Sequence, residues 1–208
     1  MRGRSVRSPR NALGDQRTTL RLLAPSHDAL FVLQYERRFD MLILGVDPGL
    51  RATGYALLQG SPGGVNLVDH GLIRTEDAAT LPDRLRKIHA DLRTVLAHRR
   101  PALVAVEDLF SAPQFPRTAI LMGHVRGVVC LAAAELEIDV SALPPAAVKQ
   151  AITGSGAASK TQIQAAVSRL LHPGDALDSH VSDAIAISLT ALSRRGFPLQ
   201  RANQEVAP

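Results

Sequence analysis

The chain has 208 residues, of which 46% are hydrophobic and 21% charged, and a formal net charge of +5, a composition typical of one soluble domain with a buried core. A single cysteine excludes a disulfide framework and a cysteine-based zinc site, and no apolar run approaches the ~20 residues of a membrane helix, so we expect a cytoplasmic protein without membrane association. The charge itself excludes little, because residues 1–40 hold eight Arg and four acids (net +4) and residues 41–208 hold sixteen Arg or Lys and fifteen acids (net +1).

Residues 1–40 are rich in Arg and show no sustained hydrophobic period. We predict a disordered basic extension. Met41 stands directly before the first predicted strand, so a start codon assigned too far upstream explains the extension equally well.

The first predicted strand, 42–47, is a branched apolar run that ends in Asp47 and is followed by Pro48 and Gly49. Because Pro and Gly do not continue a strand, this pattern predicts a buried strand that brings a carboxylate to a turn. Burying a carboxylate is costly unless a metal, a cation or several hydrogen-bond donors compensate it. An Asp that caps its own turn is the alternative.

The following segments predict a meander and then a crossover. Further strands are expected at 53–59 and 65–74, an amphipathic helix at 80–99 and a buried strand at 102–107. A strand, helix, strand order implies a parallel crossover. Glu107, the last residue of its strand, would therefore emerge beside Asp47.

The segment 117–137 predicts a long helix that is apolar nearly all round, including Met122 and Cys130. Such a helix must be buried, either centrally or against a second subunit. The remaining predicted elements are a strand at 138–142 and helices that open at Pro144-Pro145 and span 159–171 and 179–195. We place a compact domain at 41–195 and a flexible tail at 196–208.

His180 and Asp183 are three residues apart on the last predicted helix, and this spacing puts them on one face. Together with Asp47 and Glu107 they form four candidate ligands. Hard divalent cations favour clustered carboxylates, and two ions ~3.5–4 Å apart need a bridging acid, for which Asp47 is the natural choice. The alternative for His180 is a polar residue at a helix end, and Asp178 or Ser179 fits the N-cap.

Five stretches of the chain, spread over roughly 41–192, resemble the RuvC family of Holliday-junction resolvases. They are Leu-Gly-Val-Asp-Pro-Gly-Leu-Arg-Ala-Thr-Gly-Tyr (44–55), Val-Glu-Asp-Leu-Phe (106–110), Gly-His-Val-Arg-Gly (123–127), Val-Lys-Gln-Ala-Ile-Thr-Gly-Ser-Gly-Ala-Ala-Ser-Lys (148–160) and Ser-Asp-Ala-Ile-Ala-Ile (182–187). The resemblance implies an α/β, ribonuclease-H-like fold: a mixed five-stranded sheet, with a three-strand meander and parallel strands, and helices on both faces. It also implies a homodimer that makes paired cuts across a four-way DNA junction.

Carried over by position, Asp47, Glu107, His180 and Asp183 would hold two Mg²⁺ ions per subunit, with Mn²⁺ as a substitute. One ion would lower the pKa of an attacking water and the other would stabilise the leaving 3′ oxygen. The family carries Asp or His at the position of His180, and His makes the site less anionic. Branch-migration motor proteins of the RuvA and RuvB type are implied partners.

The same resemblance implies a set of DNA contacts. Lys149 and Lys160 are two of only three lysines in the chain, and their matches in the family face DNA and the scissile phosphate, which gives Lys160 a catalytic role. Solvated surface lysines are the alternative. Phe110 would be a wedge that stacks on a base at the branch point, unless it is a core residue. Phosphate contacts are expected from three arginines: Arg51, Arg117 and Arg126.

Three other functions compete with junction cleavage. An actin-like kinase or ATPase needs a second phosphate-binding lobe, for which the chain has no second Asp-Gly strand turn. A related nuclease acting on RNA is disfavoured by Phe110 and by the segment 148–160. A junction-binding protein without catalysis would not need four intact ligands.

Overall fold

The computed structural model describes residues 40–108, 116–171 and 177–202. Its strands are β1 (Met41–Asp47), β2 (Ala52–Ser61), β3 (Gly64–Arg74), β4 (Leu103–Glu107) and β5 (Val140–Leu143). Its helices are α1 (Leu81–Arg99), α2 (Pro116–Ala134), α3 (Pro145–Thr153), α4 (Lys160–Leu171) and α5 (Ser179–Arg194). No helix within these ranges is long and apolar enough to cross a membrane.

The strands form one five-stranded sheet in the order β3-β2-β1-β4-β5. The neighbours β1 and β2, and β2 and β3, are antiparallel, whereas β4 is parallel to both β1 and β5. This is the predicted meander followed by parallel strands. In the parallel pairing Val46 lies opposite Val106, so the next residue of each strand is one of the two predicted acids.

The two faces of the sheet pack against different helices. On one face, which we call the α5 face, Ile43 and Ala105 belong to a core cluster with residues of α3, α4 and α5. On the other, the α1 face, Leu44 and Val104 pack with residues of α1 and α2. Successive strand residues point to opposite faces, which explains the division. Helices therefore cover both faces, as predicted.

Helix α1 has a capping residue at each end. Thr80 is the N-cap, and its hydroxyl accepts a hydrogen bond from the backbone N–H of Asp83, 3.4 Å away. Ile88, Leu92 and Leu96 recur every four residues and are fully buried. At the other end Arg100 adopts a left-handed conformation with φ 46°, and its N–H bonds to the carbonyl of Leu96.

Helix α2 is shorter than predicted and exposed along one side. It ends at Ala134 rather than 137, and Glu137 then takes a left-handed φ of 57°. The helix is not central in the fold, since Ile120 and Leu131 on one side are 61% and 53% exposed, and burial of that side against a second subunit stays a prediction. The opposite side, represented by Val129, is fully buried against the α1 face.

The segment after α5 returns to the sheet. The N–H of Val65 donates to the carbonyl of Gln200 at 2.7 Å, and the N–H of Ala202 donates to the carbonyl of Val65 at 3.1 Å. A parallel bridge to Arg201 results at the start of β3. The chain is thus paired with the sheet as far as Ala202, beyond the boundary at which we expected a flexible tail. Residues 1–39 and 203–208, parts of the expected extension and tail, lie outside the described residues.

Candidate active site

Asp47 and Glu107 end two neighbouring parallel strands on the α5 face. Gly45 faces α5 on β1, where an added Cβ would overlap the main-chain carbonyl oxygen of Ala184. Asp47 is two residues further along and therefore points the same way. It is only 8% exposed. The turn that follows is closed by the Thr53 hydroxyl, which donates to the carbonyl of Gly49 at 2.7 Å.

Helix α5 starts directly over this end of the sheet. Asp178 is its N-cap, as one of the two alternatives predicted, and accepts a hydrogen bond from the backbone N–H of His180 at 2.9 Å. The other oxygen of Asp178 lies 3.4 Å from Nη2 of Arg74, at the carboxyl end of β3. The cap fixes the first turn of the helix, and His180 lies in that turn.

Small residues set the distance between α5 and the sheet. A Cβ on Gly54 would overlap the main-chain carbonyl oxygen of His180, and Gly45 makes an equally close approach to Ala184. Further along the helix, the buried hydroxyl of Ser188 donates to the carbonyl of Ala56 at 2.9 Å. The absence of side chains at these two glycines lets the helix rest on the strands, so that its first-turn residues reach the end of β1.

The predicted catalytic side chains meet there in two pairs. Nδ1 of His180 lies 2.7 Å from Oδ2 of Asp47. Nζ of Lys160, the first residue of α4, donates to Oδ2 of Asp183 at 2.7 Å, and this hydrogen bond raises the pKa of Lys160. Helices α4 and α5 therefore bring one cation and two prospective ligands to the strand that ends in Asp47.

Burial and crowding perturb both strand-end carboxyls. The pKa of Glu107 is raised to about 7, mainly because the group is desolvated and then because Asp47 and Asp183 are close, with Lys149 and Lys160 acting in the opposite direction. Burial also raises the pKa of Asp47, against the effect of its hydrogen bond with His180. The site concentrates more carboxylate charge than its lysines compensate.

A cavity of about 180 Å³ opens beside these acids. It is lined by Glu107, Pro145, Val148, Lys149, Lys160, Ile163, Asp183, Ala186 and Ile187. Lys149, predicted to contact DNA, thus shares a cavity with Glu107 and Asp183. The polar lining residues are two acids and two lysines, and the others are apolar residues of α3, α4 and α5.

Comparison with known proteins identifies the family of the chain. The sequence profile described as crossover junction endodeoxyribonuclease RuvC matches residues 43–191. The chain belongs to the RuvC family. A RuvC protein of Rhodopirellula baltica is 45% identical over 161 residues, which cover 77% of this chain and 90% of that protein. One of Myxococcus xanthus is 40% identical over 159 residues, covering 74% and 81%.

Solved structures of RuvC share the fold described above. The structure of Thermus thermophilus RuvC in complex with Holliday junction substrate has a TM-score of 0.69 and 33% identity, and covers 75% of this chain and 96% of that one. The yeast mitochondrial Holliday junction resolvase Ydc2, at 12% identity and a TM-score of 0.55, shares the fold alone. The predictions of the RuvC family and of its ribonuclease-H-like mixed sheet are confirmed.

RuvC-type nucleases depend on metal, and the donor types at this site suit a hard divalent cation: three carboxyls and one imidazole. As they are placed, no group of three or more His, Cys, Asp or Glu side chains within the described ranges has a metal-binding arrangement. Asp47 faces His180, and Asp183 faces Lys160. Asp183 could take part in metal binding only if Lys160 released its carboxylate.

Of the remaining predicted DNA contacts, the structure describes Arg51 and Arg126, and each pairs with an acid outside the four candidate ligands. Arg51 is exposed, with Nε 3.4 Å from Oδ1 of Asp77. Arg126 belongs to α2, and its Nη2 lies 3.3 Å from Oδ1 of Asp108. Phe110 and the side chain of Arg117 lie outside the described residues.

Two residues near the site of this RuvC-family chain were missed by sequence reasoning. Arg74 ends β3, which runs parallel to β1 because two antiparallel pairings separate them, so the predicted meander already implied a side chain at this edge. Asp108 directly follows Glu107, and its partner Arg126 is eighteen residues away in sequence. No local pattern signals that ion pair.

Proposed function

We propose that this chain resolves four-way (Holliday) DNA junctions during recombination and repair, and that Asp47, Glu107, His180 and Asp183 are its metal-binding residues. Membership of the RuvC family, whose members are described as crossover junction endodeoxyribonucleases, supports hydrolysis of phosphodiester bonds in junction DNA. The observation that carries the site is the convergence of β1, β4 and α5, which brings the buried Asp47 and the half-buried Glu107 and Asp183 together at one end of the sheet.

We propose two Mg²⁺ ions per subunit, with Mn²⁺ as a substitute. When bound, such ions lower the pKa of an attacking water and neutralise the charge on the leaving oxygen. Asp47 would be the central ligand of the set, because it lies beside both Glu107 and His180. Glu107, with a pKa of about 7, gives up its proton to become a ligand.

The lysines supply positive charge where the substrate enters. Once its carboxylate partner binds metal, Lys160 is free to turn its Nζ to the scissile phosphate. Lys149 lines the same cavity and meets a phosphate further along the strand. Arg51 and Arg117 contact phosphates, and Phe110 stacks on a base at the branch point.

Paired cuts need two sites, and α2 offers a surface for a homodimer. Its exposed residues Ile120, His124, Gly127 and Leu131 follow one another at steps of four, three and four and so form one stripe. A Cβ on Gly127 would meet nothing within 4 Å, which leaves room for a close helix–helix contact. The predicted motor partners would act on the same junction.

The dimer is tested by Leu131→Glu, which places a charge in the stripe. Analytical ultracentrifugation should show a shift to monomer, together with loss of paired cutting. Val68→Glu is the matched control, because Val68 is an exposed valine on β3, 41% accessible. A Leu131→Glu protein that sediments like the control would exclude α2 as the interface.

Cleavage is tested on a synthetic four-way junction beside a linear duplex of the same sequence and an RNA–DNA hybrid. We expect paired nicks in the junction with Mg²⁺ or Mn²⁺, and none with EDTA or with Asp47→Asn. Preferential cleavage of the hybrid would favour the RNA nuclease. Tight binding of the junction without cleavage under any metal would favour a binding protein.

A further inference from the structure

The two acids at the end of β4 make contacts on opposite faces of the sheet. Glu107 belongs to the site on the α5 face. Asp108 contacts Arg126 of α2, the helix that packs on the α1 face, through Oδ1 and Nη2 at 3.3 Å. The backbone N–H of Asp108 also donates to the carbonyl of Leu143 at the end of β5, at 2.8 Å. The main chain just after Glu107 is therefore held from two sides.

Arg126 is held closely at its position. Its side chain is 29% exposed, and the preceding residue of the helix, Val125, is completely buried. Within the described residues its Nε is buried and has no hydrogen-bond partner. A guanidinium placed this way lacks the freedom of an exposed arginine, and leaving its place would remove a counter-charge from the half-buried Asp108.

We infer that Arg126 is a positioning residue: it fixes Asp108 and, through the main chain, the Glu107 carboxyl on the other face. The inference rests on the proposed role of Glu107 as a metal ligand. It replaces the phosphate contact expected for Arg126. Because Arg126 lies on the helix that carries the exposed stripe, it also links the proposed dimer surface to the catalytic end of β4.

A phosphate contact and a positioning role predict different effects of the same substitutions on junction affinity and on the cleavage rate. An arginine that contacts phosphate contributes counterion release, so its loss lowers the slope of log K against log salt by about one. Loss of the neighbouring acid would then tighten binding. A positioning pair predicts that removing either partner slows cleavage and leaves affinity and salt slope unchanged. Since each single removal breaks the contact between Arg126 and Asp108, their effects should be less than additive.

The experiment compares Arg126→Gln, Asp108→Asn and the double variant in the full-length chain. Single-turnover cleavage is measured at saturating enzyme, and junction affinity is measured in EDTA over a range of salt. Hydrogen exchange reports the N–H of Asp108 independently of activity. We expect each single variant to cleave on the order of 10- to 100-fold more slowly, the double variant no worse, and exchange at Asp108 to be faster.

A salt slope reduced by about one in Arg126→Gln, with tighter binding by Asp108→Asn, would overturn the inference in favour of a phosphate contact. Wild-type cleavage rates in both single variants would also overturn it. If Arg126→Gln does not fold by circular dichroism, Arg126→Met, which keeps the length of the side chain and removes its charge, replaces it in the same comparison. Glu107→Gln separates the two proposals: if it cleaves at the wild-type rate, the proposed ligand set is wrong, whatever Arg126 does.

Discussion

The two faces of the sheet share the same strands but are built for different purposes. On the α1 face, Leu44 and Val46 of β1 meet Leu92 of α1 in a layer with no exposure to solvent. On the α5 face, the alternate positions of β1 pass from Ile43 through Gly45 to Asp47, so the apolar layer ends in a glycine and an acid. One face can be packed for stability while the other accommodates charge.

This difference shows why a strand is a suitable carrier for a metal ligand. The alternation that buries Val46 on one face places Asp47 on the other. The acid does not interrupt the core on the α1 face, and that core offsets the free-energy cost of desolvating the acid. Substitutions on the two faces should therefore separate activity from stability. The following variants test that separation, from the largest expected effect to the smallest.

Asp183→Asn should have the largest effect, on activity alone. Replacing the carboxylate removes a proposed ligand, and metal-ion stabilisation of the transition state is worth several kcal/mol, so we expect a loss of about 10³-fold or more. Junction binding should stay equal or become tighter, because negative charge leaves the DNA-facing site. Cleavage and gel-shift assays measure the two quantities, with the exposed Asp83→Asn as control. Loss of folding would give Asp183 a structural role.

Leu92→Ala should have the opposite profile. Leu92 is fully buried on the α1 face, and deleting such a side chain costs about 2–5 kcal/mol through lost transfer energy and the cavity left behind. The free energy of unfolding is measured in urea, with Val68→Ala as the exposed control. Under conditions in which the variant is folded, it should cleave at nearly the wild-type rate. A loss of activity in the folded variant would show that substitutions on the two faces do not separate stability from activity.

Glu107→Gln should stabilise the metal-free protein at alkaline pH. The pKa of Glu107 is about 7 in the folded state against an ordinary value of 4.5, so the folded state holds the proton more tightly. Its contribution to stability is complete below pH 4.5 and is lost as pH rises through about 7. In EDTA at pH 8 the variant should gain on the order of 1–2 kcal/mol, after allowing for solvent screening.

The control for that measurement is Glu76→Gln, at an exposed carboxyl before α1. Urea unfolding in EDTA at pH 5 and pH 8 should show a smaller fall in stability for Glu107→Gln than for wild type, and no such difference for the control. If the free energy of unfolding of Glu107→Gln fell between pH 5 and pH 8 as much as that of wild type, a group other than Glu107 would be responsible for the pH dependence.

Deleting residues 2–40 should have the smallest effect. The family profile starts at residue 43, after this segment. The deletion removes net positive charge and no proposed ligand, so cleavage of junctions at moderate salt should stay within about twofold, with weaker binding only at low salt. A collapse of the rate in the same assay would contradict the idea of a start codon assigned too far upstream.

The sequence was sufficient for the parts of the site that depend on local pattern. Asp47 and Glu107 are each the last residue of an apolar strand, and His180 and Asp183 have helical spacing. The sequence could not show which side chains pair with each other, because Lys160 lies twenty-three residues from Asp183 and contacts it only after α4 and α5 pack. The ion pairs of Arg51 with Asp77 and of Arg126 with Asp108 depend on packing in the same way, and the DNA contacts expected of the arginines stay predictions.

Helix α2 shows the limit for the fold. Its sequence is apolar on almost every side, so no periodicity tells which residues face the sheet and which form the exposed stripe. Only packing against α1 decides that Val129 is inside and Leu131 outside. The end of the helix was also misplaced, because Glu135 and Leu136 continue the composition of a helix without remaining in one.

The two glycines under α5 have a consequence for how this enzyme can vary. Gly54 and Gly45 leave no room for a methyl group below His180 and Ala184. In a saturation library of residues 44–56, alanine at either position should be selected against as strongly as the loss of a proposed ligand, although neither glycine is among the proposed metal or DNA contacts. The distance between α5 and the sheet would determine which substitutions these positions tolerate. An active variant with a larger residue at position 54 should therefore carry a second change in α5 that restores this distance.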